Sequence, residues 1–131
     1  MQLTVNSLQM IDYRKYIVWQ KAHLLVLKIY KVTSTFPKTE QFGIISQINR
    51  AAVSIPTNIA EGCGRETQKE LVRYLYISSG TTHELEYLIF LSRDLQYITD
   101  QKAGELFEEI TTIKKMLSSL IKKITVSITN S

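Results

Sequence analysis

A chain of 131 residues, 44% of them hydrophobic, is long enough for one domain with its own core and short for two. Sixteen basic residues interspersed with twelve acidic ones give a formal net charge of +4, which disfavours basic partners and permits acidic ones without the density of a dedicated nucleic-acid tail. Cys63 stands alone, so an intramolecular disulfide is excluded; no apolar run reaches the roughly 18 residues of a membrane span, and the N-terminus lacks the charged-then-apolar order of a secretory signal, so a cytoplasmic protein without membrane association is expected.

Two prolines and five glycines punctuate segments of helical rather than alternating periodicity, which predicts an all-α fold. A first helix is predicted from about Tyr16 to Thr35, with Val18, Ala22, Leu25, Val26, Ile29 and Val32 on one stripe. It stops at Phe36-Pro37, because a residue before proline avoids helical geometry. A second spans about Glu40 to Glu61. The third opens with Thr67 and Glu70 at capping-box spacing and runs to about Gln96, on the order of 40 Å at 1.5 Å per residue. The fourth starts at Thr99-Asp100 and carries Leu106, Ile110, Ile113, Leu117, Leu120, Ile121 and Ile124 on one face. Residues 1–12 and 125–131 carry little helical pattern and read as flexible, frayed ends of a bundle domain over 13–124. Short connections favour antiparallel neighbours, so the expected fold is an antiparallel up-down-up-down four-helix bundle.

The stretch SIPTNIAEGCGRETQKE, Ser54 to Glu70, joins the second and third helices. Pro56 removes a backbone donor and predicts a bend or loosening around Asn49 to Ala52. Gly62 and Gly64 end the helix, either being able to take the left-handed C-terminal conformation, and Thr67 caps the next one. On the second helix Gln47, Arg50, Ser54, Asn58 and Glu61 fall within roughly 80° of one another. That row is either a solvated face or a buried hydrogen-bonded seam; if buried, Arg50 needs a partner such as Glu61 of its own or a neighbouring chain.

The third helix has two apolar faces. Leu71, Leu75, Ser78, Thr82, Leu85 and Ile89 suit a bundle core, while Val72, Tyr76, Gly80, His83, Tyr87 and Phe90 form a second face that a lone subunit does not cover. Aromatics beside a glycine suit an oligomer interface through Tyr76, Gly80, His83, Tyr87 and Phe90; the alternative is that they line grooves between helices with their hydroxyls in water.

Chemistry is poorly provided for. A di-iron bundle site needs Glu three residues before His, yet Gln20 precedes His23 and Gly80 precedes His83 at that spacing. One cysteine and two histidines make no zinc cluster, and no phosphate loop or dinucleotide fingerprint occurs, so neither an enzyme nor a cofactor is expected. Cys63 reads as a structural turn residue rather than a reactive thiol.

The segments VWQKAHLLVLKIYKVTSTFP, EQFGIISQINRAAVSIPTNIAEGCGR and TQKELVRYLYISSGTTHELEYLIFLSRDLQYI resemble the bacterial four-helix-bundle proteins encoded by intervening sequences in 23S ribosomal RNA genes, over about Tyr13 to Ile124. The resemblance implies a left-handed bundle assembling as a ring, typically a homopentamer, with no enzymatic activity. It is also similar to the accessory proteins of diversity-generating retroelements, which bind nucleic acid and a reverse transcriptase. This chain departs from the pattern at Asn49, where many members have arginine beside Arg50, and at Thr81, where serine is usual. Two functional readings follow. One is a nucleic-acid-associated adaptor binding RNA or DNA, with Gln47, Arg50, Asn58, Glu61, Arg65 and Arg73 as the nucleic-acid or partner-binding set and Lys114-Lys115 and Lys122-Lys123 adding field. The other is a protein-interaction scaffold that binds a protein partner and no nucleic acid.

Overall fold

The computed structural model describes residues 11–130. Among them four long helices and two single 3-10 turns occur and no strand: α1 Ile17–Thr33, α2 Ile44–Cys63, α3 Gln68–Asp94 and α4 Asp100–Asn130, with turns at Tyr13–Lys15 and Lys38–Glu40. Each helix packs on its neighbours in sequence and α1 closes thinly on α4, an arrangement that fits a four-helix bundle with α1 and α3 at opposite corners.

The apolar stripes become the core. Leu25, Ile29, Ile48, Ile55, Ile59, Leu71, Leu75, Leu85, Ile89, Leu106, Ile110 and Ile113 are fully enclosed, and burying a side chain of this size contributes roughly 1.5–3 kcal/mol. Val26, Val32 and Leu120 are only partly covered. The small polar members of the α3 core stripe satisfy themselves on backbone. Ser78 donates to the Ile55 carbonyl at 2.8 Å, Thr82 to Ser79 at 2.6 Å and Ser92 to Leu88 at 2.8 Å. The Ser78 bond ties α3 to α2 one residue from Pro56, which is itself buried inside an uninterrupted helix.

Both helices that open with a side-chain cap open where the sequence predicts: Thr67 accepts from the Glu70 N–H at 3.1 Å and Thr99 from the Lys102 N–H at 3.1 Å. The corners differ from expectation. Neither Gly62 nor Gly64 is left-handed: Gly64 lies at φ −88°, and the one positive φ among the described residues is Gln96 at 64°. Gly62 is instead where helices meet, since a Cβ there would stand 2.9 Å from Leu71 Cδ1 and 2.9 Å from Tyr74 Cβ. The pattern ending at Ile124 also falls short of the helix, which continues to Asn130 with Ile128 packed against the core and Thr129 bonded to the Thr125 carbonyl at 3.0 Å. The expectations for residues 1–10 and for Ser131 lie outside the described residues.

Candidate interaction surfaces

The polar row of α2 lies on the outside of the chain. Gln47, Arg50 and Glu61 are exposed, and Ser54 and Asn58 are half-buried. Asn58 turns back on its own helix, donating through Nδ2 to the Ser54 carbonyl at 2.8 Å and to Ser54 Oγ at 2.9 Å. Arg50 does not meet Glu61; the Glu61 carboxylate takes Arg65 Nη2 at 3.0 Å. Asn49, next to Arg50, accepts from Thr33 Oγ1 at 3.0 Å and so ties α2 to α1, a use that an arginine could not reproduce as acceptor.

Arg65 belongs to the elbow rather than to an open basic edge. Its guanidinium stacks over the Tyr74 ring at 4.9 Å, donates to the Tyr74 hydroxyl and pairs with Glu61, joining the end of α2 to the second turn of α3. Arg73, the residue before Tyr74, lies 5.8 Å from the same ring. Cys63, buried beside this elbow, has its thiol pushed up to about 11, first by burial and then by the nearby Asp12 carboxylate. Such a thiol is inert at neutral pH, as a structural residue should be.

The outer stripe of α3 is open along its length. Tyr76 is 61% exposed, Tyr87 59% and Phe90 46%, His83 is also exposed, and a Cβ on Gly80 would meet nothing within 4 Å. These aromatics are not tucked into the fold of the single chain, except that Arg93 covers one side of Phe90 at 4.6 Å. Tyr76 is shared by two adjoining depressions. One, about 610 Å³, holds Lys69, Glu70, Val72, Arg73 and Ile77; the other, about 320 Å³, runs between α3 and α4 past Ser79, Ser118, Lys122 and Thr125. Lys69, Ser79, Ser118 and Thr125 were not singled out by sequence pattern, because a groove across two helices has no period in either one.

Of the other predicted cations, Lys114 is engaged and three are not. Lys114 reaches both Glu86 oxygens at 3.2 and 3.3 Å, bridging α4 to α3, whereas Lys115, Lys122 and Lys123 remain exposed. Lys28 bonds Glu109 at 2.7 Å across the thin α1–α4 seam. Trp19 is gripped by two rings, edge-on to Tyr13 at 5.0 Å and parallel to His23 at 5.1 Å, which explains His23 as an aromatic packing partner. At the end of the molecule the last turns of α1 and α3 and the first turn of α4 border a cleft of about 950 Å³ that includes Lys31, Asp94 and Lys102. Among the described residues no three His, Cys, Asp or Glu side chains stand close enough to share a metal, and no helix is long and apolar enough to cross a membrane.

The family model described as 23S rRNA-intervening sequence protein matches residues 14–119. A crystal structure of a protein with unknown function from the S23 ribosomal protein family of Bacteroides thetaiotaomicron VPI-5482 is similar to this chain at 26% identity, with a TM-score of 0.75 over 81% of this chain and 96% of that one. The search of curated proteins returned no match. A match that begins just before α1 and ends within α4, together with a shared fold, shows that the chain belongs to the 23S rRNA-intervening sequence protein family.

Proposed function

We propose that this chain is a non-enzymatic, antiparallel four-helix-bundle protein that works as a homo-oligomeric ring, a homopentamer in the simplest case, and serves as a nucleic-acid-associated adaptor. The observation that carries the reading is the α3 stripe, where Tyr76, Tyr87 and Phe90 stand in solvent around an unobstructed Gly80. Exposed aromatics in a continuous row mark an interface more than a solvated surface, and a glycine among them lets a second backbone come close. The antiparallel arrangement is supported by the end cleft, where two helix C-termini meet one N-terminus.

The nucleic-acid reading is supported by Lys69, Arg73 and Lys122, which line the depressions on either side of the α3 stripe. Repetition of these cations in each copy multiplies the field of a chain whose own charge is small. Labelled structured RNA and duplex DNA titrated across a salt series test it: affinity should fall steeply with salt, and Arg73→Ala should reduce the slope by about one unit. Absence of binding even at low salt removes the adaptor. The second reading, a scaffold for a protein partner, is favoured by Arg65 and Lys114, whose charges are spent on Glu61 and Glu86 rather than presented to phosphate.

A further inference from the structure

The α3 stripe is one of two unpartnered apolar seams. On α1 the core residues Val18, Ala22, Leu25 and Ile29 leave Ile17 at 59%, Leu24 at 57% and Leu27 at 54% exposure on the outer side. Every charged residue of α1 is basic, and Lys21 and Lys31 have no ion-pair partner among the described residues. Along the C-terminal half of the α3 stripe stand the exposed acids Glu84 and Asp94; Glu84 has no ion-pair partner among the described residues, whereas Asp94 already shares Arg93 at 3.6 Å, so Lys21 with Glu84 is the stronger of the two complementary positions. The two seams share one spacing. Lys21, Leu24, Leu27 and Lys31 follow each other as do Glu84, Tyr87, Phe90 and Asp94, so each apolar pair is bracketed by charges of one sign on α1 and of the other sign on α3.

Resting on the oligomeric reading above, we propose that the occupant of the α3 stripe is the α1 seam of a second copy of this chain. Lys21 then lies opposite Glu84, Leu24 opposite Tyr87, Leu27 opposite Phe90 and Lys31 opposite Asp94, the two helices running the same way. The interface is heterologous: each copy offers α1 to one neighbour and α3 to the other. It gives no reason for two α3 stripes to face each other, which would set Glu84 and Asp94 against their own copies.

The same geometry explains closure. Lys31 and Asp94 border one cleft at one end of the chain, so they sit at the same level along the bundle. Rotation about an axis parallel to the helices therefore brings the pair into register with no shift along the axis, as a closed ring requires and a filament does not. Both seams also lean toward α4. Lys21 and Leu24 border a small pocket with Glu109 of α4, and Tyr76 borders the groove with Lys122 of α4. Two seams that lean to the same side of the chain make each successive copy turn the same way, which sets α4 on the inner side of the closed assembly.

Light scattering of the full chain tests the pairing. The wild type should run as an assembly of the 15.1 kDa chain, and Leu24→Glu and Tyr87→Glu, both at exposed positions and checked for helical content by circular dichroism, should each fall to monomer. Mixing the two variants should produce a one-to-one heterodimer and nothing larger, because one intact α3 stripe then finds one intact α1 seam. Lys21→Glu and Glu84→Lys should each weaken association by about 10-fold, and the double variant should restore it. An assembly unchanged by Leu24→Glu, or a mixture that stays monomeric, overturns the pairing while leaving the ring; a monomeric wild type at micromolar concentration overturns both.

Discussion

At the corner between α2 and α3 the chain turns with no left-handed residue and with two glycines in it, whereas at the corner between α3 and α4 it turns through Gln96 at φ 64° with no glycine at all. The first corner is closed by contact: Gly62 lets α2 lie against Leu71 and Tyr74, and Arg65 clamps Glu61 to Tyr74. The second is closed by backbone. The Tyr97 N–H returns to the Ser92 carbonyl and the Gln96 N–H to Arg93, both at 2.9 Å, which is the paired bonding of a left-handed helix stop. Glycine is thus placed where a neighbour comes close, and the conformation that favours glycine is borne by a residue with a side chain. The Tyr97 hydroxyl helps hold it, donating to Glu40 at 2.7 Å while its ring meets Phe36 at 5.3 Å.

Adding a side chain at the first corner should have the largest effect. In an exposed helix, glycine to alanine raises stability by about 1 kcal/mol, but at Gly62 even a methyl group stands within contact distance of Tyr74 Cβ and the Leu71 carbonyl, neither of which can swing away. Gly62→Val should cost about 3 kcal/mol, read as a lower urea midpoint. The same change at Gly104, where a Cβ meets nothing, should be tolerated within about 0.5 kcal/mol, so equal losses at both sites would remove close packing as the reason for Gly62.

The contact-closed corner also buries Cys63, and its chemistry reports whether the corner stays shut. Burial raises the thiol from its ordinary 9.0 to about 11, so at pH 8 the folded chain holds roughly 100-fold less thiolate than the unfolded one, and modification by an aromatic disulfide should slow at least that much. Because the raised group is an acid buried as its neutral form, its contribution to stability is whole below pH 9 and is lost as pH rises from 9 toward 11. Modification as fast in the folded chain as in urea would mean that the elbow opens.

The core was legible because its stripes repeat within single helices: Leu71, Leu75, Leu85 and Ile89 declare one face without reference to any other element. The second face of α3 was legible for the same reason, and its exposure follows from there being one core to occupy. Lys114 with Glu86 and Lys28 with Glu109 were not legible, since partners this far apart in sequence are chosen by how helices dock. The polar row of α2 had the right spacing for a seam, yet its Asn58 is answered by Ser54 on the same helix, which periodicity does not distinguish from a partner across an interface. Leu24 and Leu27 lie off the core stripe of α1, and no repeat within that helix marks them as a second face.

The smallest effect, and of opposite sign, belongs to the second corner. A side chain at φ 64° brings Cβ close to the carbonyl that follows, at a cost of roughly 1 kcal/mol that glycine avoids, partly offset by glycine's greater freedom when unfolded. Gln96 is exposed, so its replacement loses no packing. Gln96→Gly should therefore raise stability by about 0.5 kcal/mol, seen as a higher melting temperature, while Gln96→Val should lower it because a branched side chain tolerates the left-handed region least. The order glycine, then glutamine, then valine is what a corner held by backbone demands. If the two variants melt together with the wild type, Tyr97 and its contacts with Glu40 and Phe36 close this corner, and the contrast with the elbow disappears.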